Sequence, residues 1–189
     1  MHLHDRFAEF LSASEIIEAT PALLNDQRRR FTSSPDIVLQ PNSVESVQKI
    51  MRFCFENRIR VTPQGGNTGL CGATVTSEGV LLNLSKLNRI RDINLADNSM
   101  TVEAGVILQN AQKAADKAGR LFPLSLASEG SCQIGGNIAC NAGGLNVLRY
   151  GSMRDLVLGL EVVLPNGELV SHLQPLHKNT TGYDSVSYT

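Results

Sequence analysis

Two short windows of this 189-residue chain hold ten of its 16 glycines. The first is Pro63-Gln-Gly-Gly-Asn-Thr-Gly-Leu-Cys-Gly72. The second runs from Ser128 through Gly130, Gly135, Gly136, Gly143 and Gly144 to Gly151. Glycine loses the most backbone freedom on folding, so clustering it is unfavourable unless the chain must turn tightly or approach a ligand closely. The residues between the glycines are small and polar. Successive N–H groups in such turns form a concavity that suits a pyrophosphate. Two loops of this kind imply one elongated nucleotide cofactor held largely by the main chain. Neither window contains G-x-G-x-x-G, and no Lys-Ser or Lys-Thr follows a glycine at Walker spacing, which removes most support for NAD or ATP. Ile134, Ile138 and Ala139 are apolar, so the second window reads as packed rather than floppy.

The elements that must position these loops are written in the periodicity. Residues 5–19 carry Phe7, Phe10, Leu11, Ile16 and Ile17, a weak amphipathic helical pattern that reads as an N-terminal helical arm over residues 1–33. Ser34-Pro35 breaks the chain. Asp36–Leu39 is a short apolar strand. Ser43 is a good N-cap for a helix with Val44, Val47, Ile50, Met51, Cys54 and Phe55 on one stripe. Arg58–Thr62 then reads as a strand entering the first glycine loop, which makes a βαβ unit with Ile37–Leu39 and Ile59–Thr62 as parallel neighbours. In such sheets ligands bind at the carboxyl ends of the strands, where this loop begins. Residues 79–84, 90–95 and 99–103 are short strands, and residues 106–118 a helix stopped at Gly119. Leu156–Leu164 reads as a buried strand that turns at Pro165-Asn-Gly167 into Glu168–Ser171. The class is α+β: a small parallel βαβ lobe followed by a mixed, mainly antiparallel lobe.

Composition excludes several functions. The formal charge of -1 and the single basic run, Arg28-Arg-Arg30, do not suit nucleic acid. No window is apolar enough for a spanning helix. Met1–Arg6 lacks the apolar stretch of a secretory signal, so the expected compartment is the cytoplasm. Cys54, Cys71, Cys132 and Cys140 form no C-x-x-C pair, and disulfides are not expected. His2, His4, His172 and His177 have no accompanying carboxylate or cysteine set and read as surface residues, so no metal site is assigned.

Five segments together carry a resemblance: Gln64–Gly69, Glu129–Asn137, Asn141–Gly144, Leu148–Gly151 and Leu158–Gly167. In order and content they resemble the FAD-linked oxidases of the PCMH-type, or vanillyl-alcohol-oxidase, fold. The similarity is to the D-2-hydroxyacid dehydrogenase branch, which includes D-2-hydroxyglutarate and D-lactate dehydrogenases, and it runs from about Asp26 to Asp184. The resemblance implies an FAD-binding domain over residues 34–184. Gln64, Gly65, Gly66, Asn67, Thr68 and Gly69 would wrap the pyrophosphate through backbone N–H groups, with side-chain bonds from Asn67 and Thr68. Gly130, Ser131, Ile134, Gly135, Gly136 and Asn137 would line the diphosphate and ribityl path. Asn141, Ala142, Gly143 and Gly144 would approach the isoalloxazine, and Glu161 and Val162 would lie nearer the adenosine. Some relatives attach flavin to a histidine after the two glycines of the first loop. Asn67 stands there in this chain, which implies non-covalent FAD.

After Thr181–Asp184 the family continues into a segment that supplies the substrate arginine, the metal ligands and the proton acceptor. Residues 185–189 do not resemble it, so the domain is expected to be incomplete at its C-terminal side and no catalytic residue is assigned. The expected whole enzyme oxidises a small 2-hydroxy acid to a 2-oxo acid. This chain would be its cofactor half, prone to self-association through an uncovered face and to unusual packing within residues 125–150. Two alternatives stand beside this: a non-catalytic flavin-binding module, and a folded chain that takes no flavin. Flavin absorbance separates the last from the others.

Overall fold

The structure is a computed structural model that describes residues 2–173. The expectations for His177, Thr181–Asp184 and Ser185–Thr189 lie outside the described residues. Two units are present: residues up to Leu87 together with Val163–Leu169, and Asn88–Val162 together with residues from Val170 onward.

In the first unit, an apolar sheet is built from β1 (Ile16–Ile17), β2 (Ile37–Leu39), β3 (Val61–Gln64) and β4 (Val80–Asn83), in the order β1-β2-β4-β3. β4 is parallel to both β2 and β3, and β1 is antiparallel at one edge. Every residue of β2 and β4 is buried, as continuous apolar runs in parallel sheets normally are. Around the sheet lie α1 (Leu3–Ala8), a 3-10 turn at Ala13–Glu15, α2 (Pro21–Leu24) and α3 (Val44–Glu56). The N-cap of α3 forms as its sequence dictates: the Ser46 N–H donates to Ser43 Oγ at 3.1 Å. Val47, Ile50 and Cys54 face the core, whereas Phe55 is 60% exposed. Burial pushes the Cys54 thiol up to about 11, so it stays protonated and behaves as a small apolar group. The Phe7 ring meets Phe53 edge-on at 4.9 Å.

The second unit begins with an antiparallel hairpin, β5 (Ile90–Asn94) and β6 (Ser99–Val102), then α4 (Leu108–Lys117). Three short helices follow: α5 (Ile134–Ala139), α6 (Val147–Tyr150) and α7 (Met153–Leu156). A final hairpin is made by β7 (Leu160–Val163) and β8 (Leu169–His172). Val106, Leu108, Ala111, Leu124, Cys132, Ile134 and Met153 form this unit's core.

Five expectations from sequence change. Residues 5–19 are not one helix: α1 stops at Ala8, and Ser12 with Glu15 forms a capping box that starts a separate turn. Ile16 and Ile17 then extend as the edge strand beside β2. β2 and β3 are not neighbours, because β4 lies between them and pairs with both. β3 starts at Val61, since Asn57 caps α3 and Arg58 turns the chain at φ 54°. The buried strand expected at Leu156–Leu164 is shorter and half-buried, because Ser152 and Asp155 cap one another and draw Met153–Leu156 into α7. The second glycine window, expected to pack unusually, carries the regular turns of α5 and α6.

Gly79 is the tightest point of the first unit. It sits at φ +74°, and an added Cβ would clash with the carbonyl oxygen of Arg60. Its own carbonyl accepts the Asp36 N–H at 2.8 Å, and its N–H donates to Asp36 Oδ2 at 2.7 Å. Gly79→Ala should therefore lower stability by about 2–3 kcal/mol, from left-handed strain plus a backbone clash. Urea unfolding with an unchanged m-value and a lower midpoint is the expected result.

Candidate cofactor site

The first glycine loop leaves the carboxyl end of β3 and is held by side-chain amides. Gln64, 2% exposed, donates from Nε2 to the Leu23 carbonyl at 2.9 Å. Its Oε1 accepts from Asn83 Nδ2 at 3.2 Å. Asn83 also reaches the Gly65 carbonyl, and its Oδ1 accepts from Gln40 Nε2 at 3.0 Å and from the Ser85 hydroxyl. A chain of amides thus crosses the carboxyl ends of β2, β4 and β3. Asn67 sits at φ 52°, a conformation asparagine tolerates better than most residues. Its Nδ2 donates to the carbonyls of Ala22 (3.1 Å) and Asn25 (2.7 Å), and its Oδ1 accepts from Thr74 Oγ1 at 2.8 Å. The backbone N–H groups of Gly66, Asn67, Thr68 and Gly69 meet no acceptor among the described residues.

The supporting segment is itself shaped by one carboxylate. Asp26 accepts the N–H groups of Phe31 (2.8 Å), Arg28 (3.3 Å) and Arg30 (2.6 Å). These bonds, led by the one from Phe31, hold its carboxyl below the usual aspartate range.

In the second unit the Glu129–Asn137 stretch is anchored by main chain. Ile134 N–H donates to Val106 O at 2.9 Å and Gly135 N–H to Ala104 O at 2.8 Å. A Cβ on Gly135 would come within 2.7 Å of Ala104 Cβ, so this glycine serves helix packing. Asn137 is buried, with Nδ2 on Cys132 Sγ at 3.6 Å, and its carbonyl accepts the Ala142 N–H at 2.8 Å. Asn141 Oδ1 accepts the Arg154 N–H at 2.9 Å. Gly144, at φ +135°, has the Ser125 carbonyl where a Cβ would stand, which only glycine allows. Ser131 is exposed, and Gly130 and Gly136 face open space on their Cβ side, as does Gly69 in the first unit.

Glu161 is engaged elsewhere. It pairs with Arg91 at 2.8 Å, Arg91 reaches Glu103 at 3.4 Å, and Arg89 holds Glu103 at 2.8 Å. Glu103 immediately precedes Ala104, the acceptor for Gly135, so this network reaches the start of α5. Val162 is 39% exposed. Burial raises the Glu103 carboxyl, but hydrogen bonds and charge from Arg89 and Arg91 outweigh that and hold it below the usual glutamate range. A cleft of about 410 Å³ in the same unit is lined by Gln112, Lys113, Arg120, Phe122, Asn146 and Glu129, the first residue of the Glu129–Asn137 stretch. Among the described residues no group of three or more His, Cys, Asp or Glu could hold a metal, and no helix is long and apolar enough to cross a membrane.

The amide side chains in these stretches are taken up by the protein itself. Gln64, Asn67, Asn137 and Asn141 each spend side-chain polar atoms on protein partners. Two residues were missed. Asn83 braces the first loop, and nothing in its local sequence marks it. Gln133, at the N-cap of α5, is only 7% exposed, and its Oε1 has no partner among the described residues. A long polar side chain in a run of small residues was its one visible signal.

A family model described as an FAD binding domain matches residues 35–172, most of the chain. The chain belongs to that family, a class of flavin-binding domains. Among individual proteins, it is 45% identical over 160 residues to a D-2-hydroxyglutarate dehydrogenase of Xanthomonas citri pv. viticola, covering 84% of this chain and 34% of that protein. It is 41% identical over 184 residues to a D-2-hydroxyglutarate–pyruvate transhydrogenase of Saccharomyces cerevisiae, covering 94% and 37%. It is 42% identical over 160 residues to a mitochondrial D-2-hydroxyglutarate dehydrogenase of Danio rerio, covering 84% and 30%. The chain spans about a third of the length of these relatives. In fold it is similar to alkyldihydroxyacetonephosphate synthase, with a TM-score of 0.79 at 16% identity over 90% of this chain and 34% of that one. It is also similar to 6-hydroxy-D-nicotine oxidase from Arthrobacter nicotinovorans, with a TM-score of 0.71 at 23% identity over 82% and 35%. The mixed α/β architecture expected from the PCMH-type resemblance is the one these share.

The cytoplasmic expectation is corrected by the same comparison. The relatives from Danio rerio and Arabidopsis thaliana are named as mitochondrial, beside a bacterial relative. The lack of an apolar stretch in Met1–Arg6 fixes no compartment.

The residues present fit FAD. In the first unit, loop N–H groups with no acceptor among the described residues suit its diphosphate, and Gly69 is open on its Cβ side. In the second unit, Gly130 and Gly136 are open in the same way, and one buried acceptor has no donor among the described residues.

Two predictions follow from the bracing. Asn67→Ala removes three hydrogen bonds and puts alanine at positive φ, so it should destabilise by about 1–3 kcal/mol and speed amide exchange at residues 65–69. Glu103→Gln should change acid stability. A lowered folded pKa gives stability that is present above the unfolded value and lost as pH falls through the folded one. The variant should therefore be less stable at pH 7 and show a flatter decline on acidification, read by thermal melting across pH.

Proposed function

We propose that this chain holds FAD non-covalently as the cofactor-binding part of a flavin-dependent D-2-hydroxyacid dehydrogenase of the D-lactate, D-2-hydroxyglutarate or glycolate class. The observation that carries the reading is the first glycine loop. Its amide side chains are turned inward, and its N–H groups from Gly66 to Gly69 are left without acceptors among the described residues at the carboxyl end of a parallel strand. Relatives 41–45% identical, named for D-2-hydroxyglutarate chemistry, support the substrate class.

In this reading the main chain of Gln64–Gly69 binds the pyrophosphate, while Asn67 keeps the loop in shape. Gly130, Ser131, Ile134 and Gly136 line the diphosphate and ribityl path, and Gly135 and Asn137 fix the turn that presents them. Asn141–Gly144 lies against the isoalloxazine, and Glu161 and Val162 lie toward the adenosine. FAD, when bound, supplies the hydride acceptor for oxidation of a 2-hydroxy acid to a 2-oxo acid. The protein's share is orientation of the cofactor and exclusion of alternatives at the loop backbone. Asn67 in the position where covalent relatives carry histidine supports a cofactor that is not bonded to the chain.

The purified chain, mixed with FAD and desalted, should be yellow, and acid precipitation should release the flavin intact into the supernatant. Dye reduction by D-lactate or D-2-hydroxyglutarate should be negligible with this 189-residue chain, because the resemblance assigns the substrate-binding groups to a region past residue 184. A colourless protein after desalting, or flavin that stays with the pellet, contradicts the cofactor reading. Robust substrate-dependent reduction contradicts the division of labour.

A further inference from the structure

Among the described residues, Gln133 Oε1 is the single buried side-chain oxygen or nitrogen without a hydrogen-bond partner. An unpaired buried carbonyl loses its hydration without compensation, and such atoms nearly always have a partner in folded proteins. The residue is only 7% exposed, and its main chain is already fixed. It bridges antiparallel to Ile107, and its own carbonyl accepts the Asn137 N–H at 3.0 Å. Three residues to either side stand Gly130 and Gly136, both open on the side where a Cβ would lie. A leftover acceptor between two open-sided glycines is a feature a ligand can use.

The chemistry of the atom narrows the ligand. A side-chain carbonyl needs a partner that brings a proton. The diphosphate of FAD brings none at neutral pH, whereas the ribityl hydroxyls, the flavin N3–H and the adenosine's hydroxyls and amino group do, so the choice of half rests on what adjoins Gln133. The Gly130–Asn137 stretch is also joined to Asn141–Gly144 through the Ala142 N–H on the Asn137 carbonyl at 2.8 Å. We infer that Gln133 is a binding residue for the ribityl–flavin half of FAD, and that its Oε1 accepts a hydrogen bond from that half. This rests on the FAD reading above.

The test is titration of the wild-type chain and of Gln133→Met, a variant of similar length without the acceptor, with FAD and with ADP. The expected result is an FAD Kd about tenfold weaker in the variant, an ADP Kd that is unchanged, and a melting temperature without ligand equal to or above wild type, because an unsatisfied carbonyl has been removed. An unchanged FAD Kd overturns the inference, and so does an equal loss for FAD and ADP or a lower melting temperature without ligand. A second measurement does not depend on the variant folding. In wild-type protein labelled with 13C-glutamine, the Gln133 side-chain carbonyl should shift on addition of FAD and stay in place with ADP. No shift with FAD overturns the inference while leaving FAD binding intact. A wild-type chain that takes up no FAD in any assay removes the FAD reading and this one with it.

Discussion

A chain of side-chain amides across the ends of three parallel strands is the interaction on which the first loop depends. Gln40 follows β2, Asn83 ends β4 and Gln64 ends β3, and each donates to the next group along, finishing at the Leu23 carbonyl. A glycine-rich loop cannot fix its own shape, since its backbone loses more freedom on ordering than any other sequence would. The amides do this from outside. Buried polar groups of this kind stabilise only when every member is satisfied, and here each amide atom that is buried has a partner. Removing one member would leave the next unpaired, so the loop and the sheet end are ordered together.

The second unit solves the same problem by other means. Packing fixes Gly135 against Ala104, a carbonyl occupies the space beside Gly144, and the charges of Arg89, Arg91, Glu103 and Glu161 hold the end of the β5–β6 hairpin, next to Ala104. In both units polar side chains bond to the protein, and in the first loop the N–H groups of Gly66–Gly69 are left without an acceptor among the described residues. This division suits a cofactor whose diphosphate and sugar chain can be met by N–H groups, and it explains why a chain with few exposed functional side chains can still be a binding domain.

Local features were legible in the sequence. The cap at Ser43, the stripe of α3, the short strands near 90–95 and 99–103 and the stop at Gly119 each depend on residues within one or two turns, so the pattern is sufficient. The order of the parallel strands was not legible. β4 pairs with both β2 and β3, and no signal within any of the three states which is central. The same distance limit hid the loop's braces. Asn67 meets carbonyls 42 and 45 residues away, and Gln40 meets Asn83 across 43. The glycine windows announced a ligand, and their order carried the family. The task of each amide within them could not be read, because asparagine and glutamine bind a ligand or a neighbouring carbonyl with the same atoms.

The account stands on main-chain capture of FAD by loops that side chains merely hold. The most direct test is the amide spectrum of 15N-labelled protein titrated with FAD. Backbone N–H signals of Gly66–Gly69 should shift strongly, as they gain charged acceptors, while the side-chain amide signals of Gln64, Asn67 and Asn83 stay close to their starting positions. Large shifts in those side-chain amides with little change in the loop backbone would contradict it.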